Sequence, residues 1–98
     1  MNPWNPITDP RTLRILGKLG EELGECSAAT SRCIIQGLDE CEPTTGKVNR
    51  RWLEEEIADV KANLIFAIAE LGLDELHINR RADRKLANLV EWHGMVEA

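Results

Sequence analysis

The sequence predicts an all-α protein: an antiparallel bundle of three main helices, completed by oligomerisation. Leu, Ile, Ala and Glu are plentiful, whereas aromatic residues make up only 4% and Tyr is absent, a balance that favours helix over sheet. Apolar residues recur at helical spacing in three long segments. Capping and turn residues stand at the ends of those segments. At 98 residues the chain is a single domain over 1–98. A core of that size is thin, so a second copy is expected to add to it.

The first helix is expected over about 9–37. Thr8 or Asp9 serves as N-cap, and Pro10 falls where a missing N–H costs nothing. Leu16, Leu19, Leu23, Cys26 and Cys33 form its apolar stripe. Gly17, Gly20 and Gly24 each cost roughly 1 kcal/mol relative to Ala in a helix interior. Their presence suggests that another helix or a ligand comes close to the backbone. Residues 38–48 contain Pro43, Thr44, Thr45 and Gly46, which reads as a surface loop. The second helix is expected over about 49–72, with Leu53, Ile57, Val60, Leu64, Ala67, Ile68 and Leu71 as its stripe. Asp74 caps the third, which is expected to run to Trp92 or His93, before Gly94.

Composition excludes several classes. The formal charge of −5 argues against non-specific nucleic-acid binding, which needs a basic surface. An acidic protein can still handle anionic substrates when a divalent metal supplies positive charge. Cys26, Cys33 and Cys41 are odd in number and lack C-x-x-C spacing, so neither a disulfide framework nor a zinc site is expected. Met1-Asn2-Pro3-Trp4-Asn5-Pro6 does not have the pattern of a signal peptide, and the longest apolar run, Leu64 to Ala69, is too short for a bilayer. The expectation is a cytoplasmic protein with no membrane and no nucleic-acid partner.

Two carboxylate clusters, Glu21-Glu22-x-x-Glu25 and Glu54-Glu55-Glu56-x-x-Asp59, carry the functional signal. At 100° per residue, Glu22 and Glu25 lie along one flank of the first stripe, and Glu56, Asp59 and Asn63 along one flank of the second, beside Trp52 and Phe66. Glu21, Glu54 and Glu55 point elsewhere. On the third helix Arg81, Lys85, Asn88 and Trp92 share one face. Its cations suit phosphate, its amide suits polar edges, and its indole suits stacking on a base. Taken singly, each of these residues has an ordinary explanation in solvation or surface ion pairing. Four carboxylates gathered inside a bundle would repel unless cations were bound. That points to Mg²⁺ and phosphate chemistry.

These motifs resemble the MazG-type all-α nucleoside triphosphate pyrophosphohydrolases, a family related to dimeric dUTPases and phosphoribosyl-ATP pyrophosphatases. The family's ExxE and ExxD are matched by Lys18-Leu-Gly-Glu-Glu-Leu-Gly-Glu25 and Glu55-Glu56-Ile-Ala-Asp59-Val, and the likeness runs from about Leu13 to Trp92. It implies that Glu22, Glu25, Glu56 and Asp59 bind Mg²⁺, with Mn²⁺ able to substitute. It implies hydrolysis of a nucleoside triphosphate between the α- and β-phosphates, giving a monophosphate and pyrophosphate, with Glu22 or Glu25 as general base. Asn63, Arg81, Lys85, Asn88 and Trp92 would contact substrate. For the basic position helical phase favours Arg81 and Lys85, and family spacing favours Arg84. The stretch between the motifs, including Asp39-Glu-Cys-Glu-Pro-Thr-Thr-Gly46, is longer than usual, leaving open a lid, a partner contact or no role. Family members form dimers or tetramers in which two chains build one site, so a homodimer or homotetramer is expected. Small members of this kind also occur in phages and mobile elements. The alternative is an inactive helical interaction module, or a nucleotide sensor, with the same fold.

Overall fold

The computed structural model describes residues 3–98. It contains α1 (Pro10–Gln36), α2 (Asn49–Glu70) and α3 (Glu75–Glu97), and the described residues contain no strand, so the fold is all-α. Asp9 starts α1: its carboxylate accepts the Thr12 N–H at 3.0 Å and the Thr12 hydroxyl at 2.6 Å, satisfying donors that the first turn leaves orphaned. Asp74 does the same for α3 through the His77 N–H at 3.0 Å. α2 ends on Gly72 at φ 62, and the Leu73 N–H closes back on the Ile68 carbonyl at 3.0 Å. This six-to-one closure needs a left-handed residue, which glycine supplies without strain. Gly94 does not end α3, which continues to Glu97. A single interior glycine costs about 1 kcal/mol, too little to stop a helix that no proline or left-handed residue interrupts.

α1 and α2 form an antiparallel hairpin, held at both ends. At the open end the Arg11 guanidinium meets the Glu70 carboxylate at 2.6 Å. At the closed end Asn49 is fully buried, and its amide donates to Gln36 Oε1 at 3.1 Å and to the Gly37 carbonyl at 3.0 Å. The connection between the helices is folded rather than loose. Cys41 bridges to Val48, and Arg50 clasps Asp39 at 2.8 and 3.1 Å. The Glu42 carboxylate caps the Thr44 and Thr45 N–H groups at 3.0 and 2.7 Å. The loop carbonyls of Glu40 and Leu38 accept the first N–H groups of α2, from Asn49 and Arg50. They replace the side-chain cap that Val48 cannot provide.

The seam between the two helices is rotated from the expected stripe. On α1 the inward positions are Ile15, Leu19, Glu22, Cys26, Ala29 and Cys33, and on α2 they are Asn49, Leu53, Glu56, Val60, Asn63 and Ala67. Each set advances by alternating steps of four and three, the spacing of a coiled-coil seam. Of the stripe residues expected in the core, Leu16, Leu23, Ile57 and Leu64 stay 39–49% exposed. Helical phase gathers these four on the side of the hairpin away from Glu25 and Asp59. The three glycines of α1 meet no neighbouring element: among the described residues, nothing beyond the adjoining helix backbone lies within 4 Å of a Cβ built at Gly17, Gly20 or Gly24. The close approach expected there is not made within the chain.

α3 barely touches the hairpin, and it buries none of its residues among those described. The radius of gyration is accordingly 17.5 Å, against about 13 Å for a compact chain of this length. The bundle inside one chain is therefore the α1–α2 pair. No helix among the described residues is long and apolar enough to cross a membrane.

Candidate metal centre

The ExxE and ExxD motifs meet because the hairpin is antiparallel and the carboxylates fall on, or next to, its seam. Glu22, Glu56 and Asp59 each offer a carboxylate oxygen, and these oxygens lie within 4.8 Å of one another. Burial is graded across the group: Glu22 is buried, Glu56 half-buried and Asp59 exposed. Glu22 and Glu56 hold seam positions of the kind that Leu or Val would normally fill. Their Oε2 atoms are buried without a hydrogen-bond partner among the described residues, an arrangement that costs the full desolvation of each acceptor.

The positive charge opposite them is small. Lys18 reaches Glu22 at 3.1 Å and Glu21 at 3.5 Å. These carboxylates raise the Lys18 pKa, the hydrogen bond to Glu22 contributing most and the charge of Glu21 next. Glu25 stands one turn beyond Glu22, outside the set of three and exposed. The charge of Glu22 pushes its carboxyl above the ordinary range, followed by partial desolvation and then Glu56 and Glu21, against a weaker pull from Lys18. One lysine does not neutralise this many carboxylates. The chemistry of the donor set, all hard oxygens with two unpartnered, fits a divalent cation such as Mg²⁺.

Asn63 is two turns from Glu56 on the same helix and donates its amide to the Asp59 carbonyl at 2.8 Å. It lines a cavity of about 200 Å³ beside the cluster with Arg11, Arg14, Ile15, Lys18 and Phe66. A second cavity, of about 280 Å³, opens on the other side of the cluster between Glu25, Ala28, Ala29, Arg32, Trp52 and Glu56. Of the remaining acidic residues, Glu21 pairs with Lys18, and Glu55 with Lys47 at 2.7 Å. Both fall outside the cluster, as helical phase requires.

Arg81, Lys85 and Asn88 line a common depression on α3 with His77, Ile78, Ala82 and Arg84. Trp92 is further along, edge-on to His93 with ring centroids 4.7 Å apart. This strip and the carboxylate cluster are not brought together within one chain, because α3 stands off the hairpin. Lys18, Arg32 and Asn49 belong to the site or its frame and were not singled out by motif reading. Lys18 was signalled by its four-residue spacing to Glu22. Arg32, seven residues past Glu25, falls on the same helical flank.

Comparison with known protein families, curated proteins and solved structures gives no match for this chain.

Proposed function

We propose that the chain is a Mg²⁺-dependent nucleoside triphosphate pyrophosphohydrolase of the MazG type. The proposed reaction cleaves a nucleoside triphosphate at the α–β bond to a monophosphate and pyrophosphate. The observation that carries this reading is the three-carboxylate cluster on two facing helices, with its buried unpartnered oxygens on Glu22 and Glu56. Glu22, Glu56 and Asp59 would hold the metal, with Glu25 at its edge. When bound, Mg²⁺ would neutralise the triphosphate and favour ionisation of a coordinated water.

Glu25 is the better placed general base. Glu22 is buried and engaged by Lys18, whereas Glu25 is exposed and the neighbouring charge of Glu22 raises its pKa, which makes it the better proton acceptor of the two. Glu25 accepts a proton from the attacking water. The water oxygen is added to phosphorus as the bridging oxygen leaves with the other product. Asn63 steadies the backbone at Asp59. Arg81, Lys85, Asn88 and Trp92 supply substrate contacts from α3 of a second copy, within a homodimer or homotetramer. The exposed apolar residues of α3, among them Leu86, Leu89 and Val96, are consistent with such an assembly.

The test is pyrophosphate release over a panel of ribo- and deoxyribonucleoside triphosphates with Mg²⁺. The expected outcome is release from at least one, reduced about a hundredfold or more in Glu56→Gln and Asp59→Asn. Nucleotide binding with no pyrophosphate release from any nucleotide would favour a nucleotide sensor instead.

A further inference from the structure

We infer that Arg32, held against Trp52, is the anion-binding group of the metal site, receiving the phosphate end of a metal-chelated ligand. This rests on the metal-site reading above and adds to it a subsite within the same chain. The guanidinium carbon of Arg32 lies 5.3 Å from the centroid of the Trp52 ring. Among the described residues Arg32 forms no ion pair, whereas Arg11, Lys18, Lys47 and Arg50 are each matched to a carboxylate. Arg32 and Trp52 share a cavity with Glu25 and Glu56, next to the cluster. A guanidinium drawn to an aromatic face by charge leaves N–H donors for a bidentate oxygen partner.

Two further observations point to an oxygen-rich ligand in that cavity. The Trp52 Nε1–H is buried without an acceptor, and Glu56 Oε2 without a donor. A free anion would be repelled by Glu25 and Glu56, but an anion arriving with a divalent cation offers charge of both signs. The cation faces the carboxylates and the phosphate oxygens face Arg32. Trp52 acts as a positioning residue here. Its ring is also approached by Lys47 Nζ at 4.3 Å, so it is engaged with cations rather than available for stacking on a base.

The probe is inorganic pyrophosphate, titrated calorimetrically into Mg²⁺-saturated full-length protein, with a separate titration of Mn²⁺ alone. Arg32→Gln is expected to weaken pyrophosphate binding about ten- to a hundredfold and to leave Mn²⁺ affinity unchanged. Arg32→Lys, which retains charge without the planar fork, should fall between. Trp52→Phe should bind nearly as wild type, and Trp52→Leu should follow Arg32→Gln, a rescue pattern that a general packing role would not give. Metal uptake without pyrophosphate binding, wild-type affinity in Arg32→Gln, or a loss in Arg14→Gln with none in Arg32→Gln would overturn the inference and leave the metal site standing. No metal uptake by the wild type would overturn both.

Discussion

Glu42, half-buried, and Glu25, exposed, are carboxylates of one acidic chain, and the structure pushes them in opposite directions. Glu42 sits in the α1–α2 connection, where the Thr44 and Thr45 N–H groups and the Thr45 hydroxyl all donate to it. These bonds lower its pKa from the ordinary 4.5 to about 2. Glu25 has carboxylate neighbours instead of donors, and its pKa moves up, chiefly through the charge of Glu22. The loop carboxylate is satisfied by its own chain. The cluster on the hairpin is not, and what would satisfy it has to come from outside.

That contrast can be broken by two substitutions of opposite expected sign. The larger effect belongs to Glu22→Gln. It removes a buried charge from a repelling group and supplies an amide donor among unpartnered oxygens, a gain of about 1–2 kcal/mol. It forfeits the pairing with Lys18, worth roughly 0.3–0.5 kcal/mol for this helical spacing. The metal-free variant is therefore expected to be more stable than wild type in urea denaturation, and a clear loss of stability would show that the cluster is no burden. Glu42→Gln should act the other way and more weakly. Because the folded-state pKa of Glu42 is depressed, its contribution is fully present above about pH 4.5. It is lost as the pH falls towards about 2. The melting temperature of Glu42→Gln should lie below wild type at pH 7, and the two should converge near pH 2. A gap that persists at pH 2 would mean that the turn does not depend on the carboxylate charge.

Most of the helical framework was legible because its signals are local. Asp9, Asp74 and Gly72 act through bonds to residues a few positions away, and the hairpin follows from the amphipathic periods of α1 and α2. The face that pairs was not legible. Leu16, Leu23, Ile57 and Leu64 are the stronger hydrophobes, yet the seam runs through Ala29, Ala67, Glu22 and Asn49. Periodicity finds all the apolar surface of a helix but cannot say which part is covered by its own chain. The same limit applies to α3. Helical phase sets Arg81, Lys85, Asn88 and Trp92 on one face, but their distance from the carboxylates depends on packing that three helical periods do not encode.

Within the site, helical phase and the resemblance together single out Glu22, Glu25, Glu56 and Asp59, and the structure gathers Glu22, Glu56 and Asp59. Glu25 was read with them, and the structure sets it at the edge. Glu25 and Asp59 each follow a seam carboxylate by three residues and turn about 60° to the same flank of the hairpin, so spacing does not distinguish the one that joins the set from the one that does not. Arg32 was hidden for a different reason. Its link to the site runs through Trp52 on the other helix, a contact that becomes visible only when the two helices are paired.

If the cluster is a cation site completed from outside, titrating Mg²⁺ and then Mn²⁺ into the metal-free protein will change its thermal unfolding. Stabilisation that grows with the logarithm of metal concentration is expected, reaching about 2.7 kcal/mol at a hundred times the dissociation constant, and absent in the Glu56→Gln, Asp59→Asn double variant. An unfolding temperature indifferent to both metals, or a shift of equal size in the double variant, would contradict a cation site there.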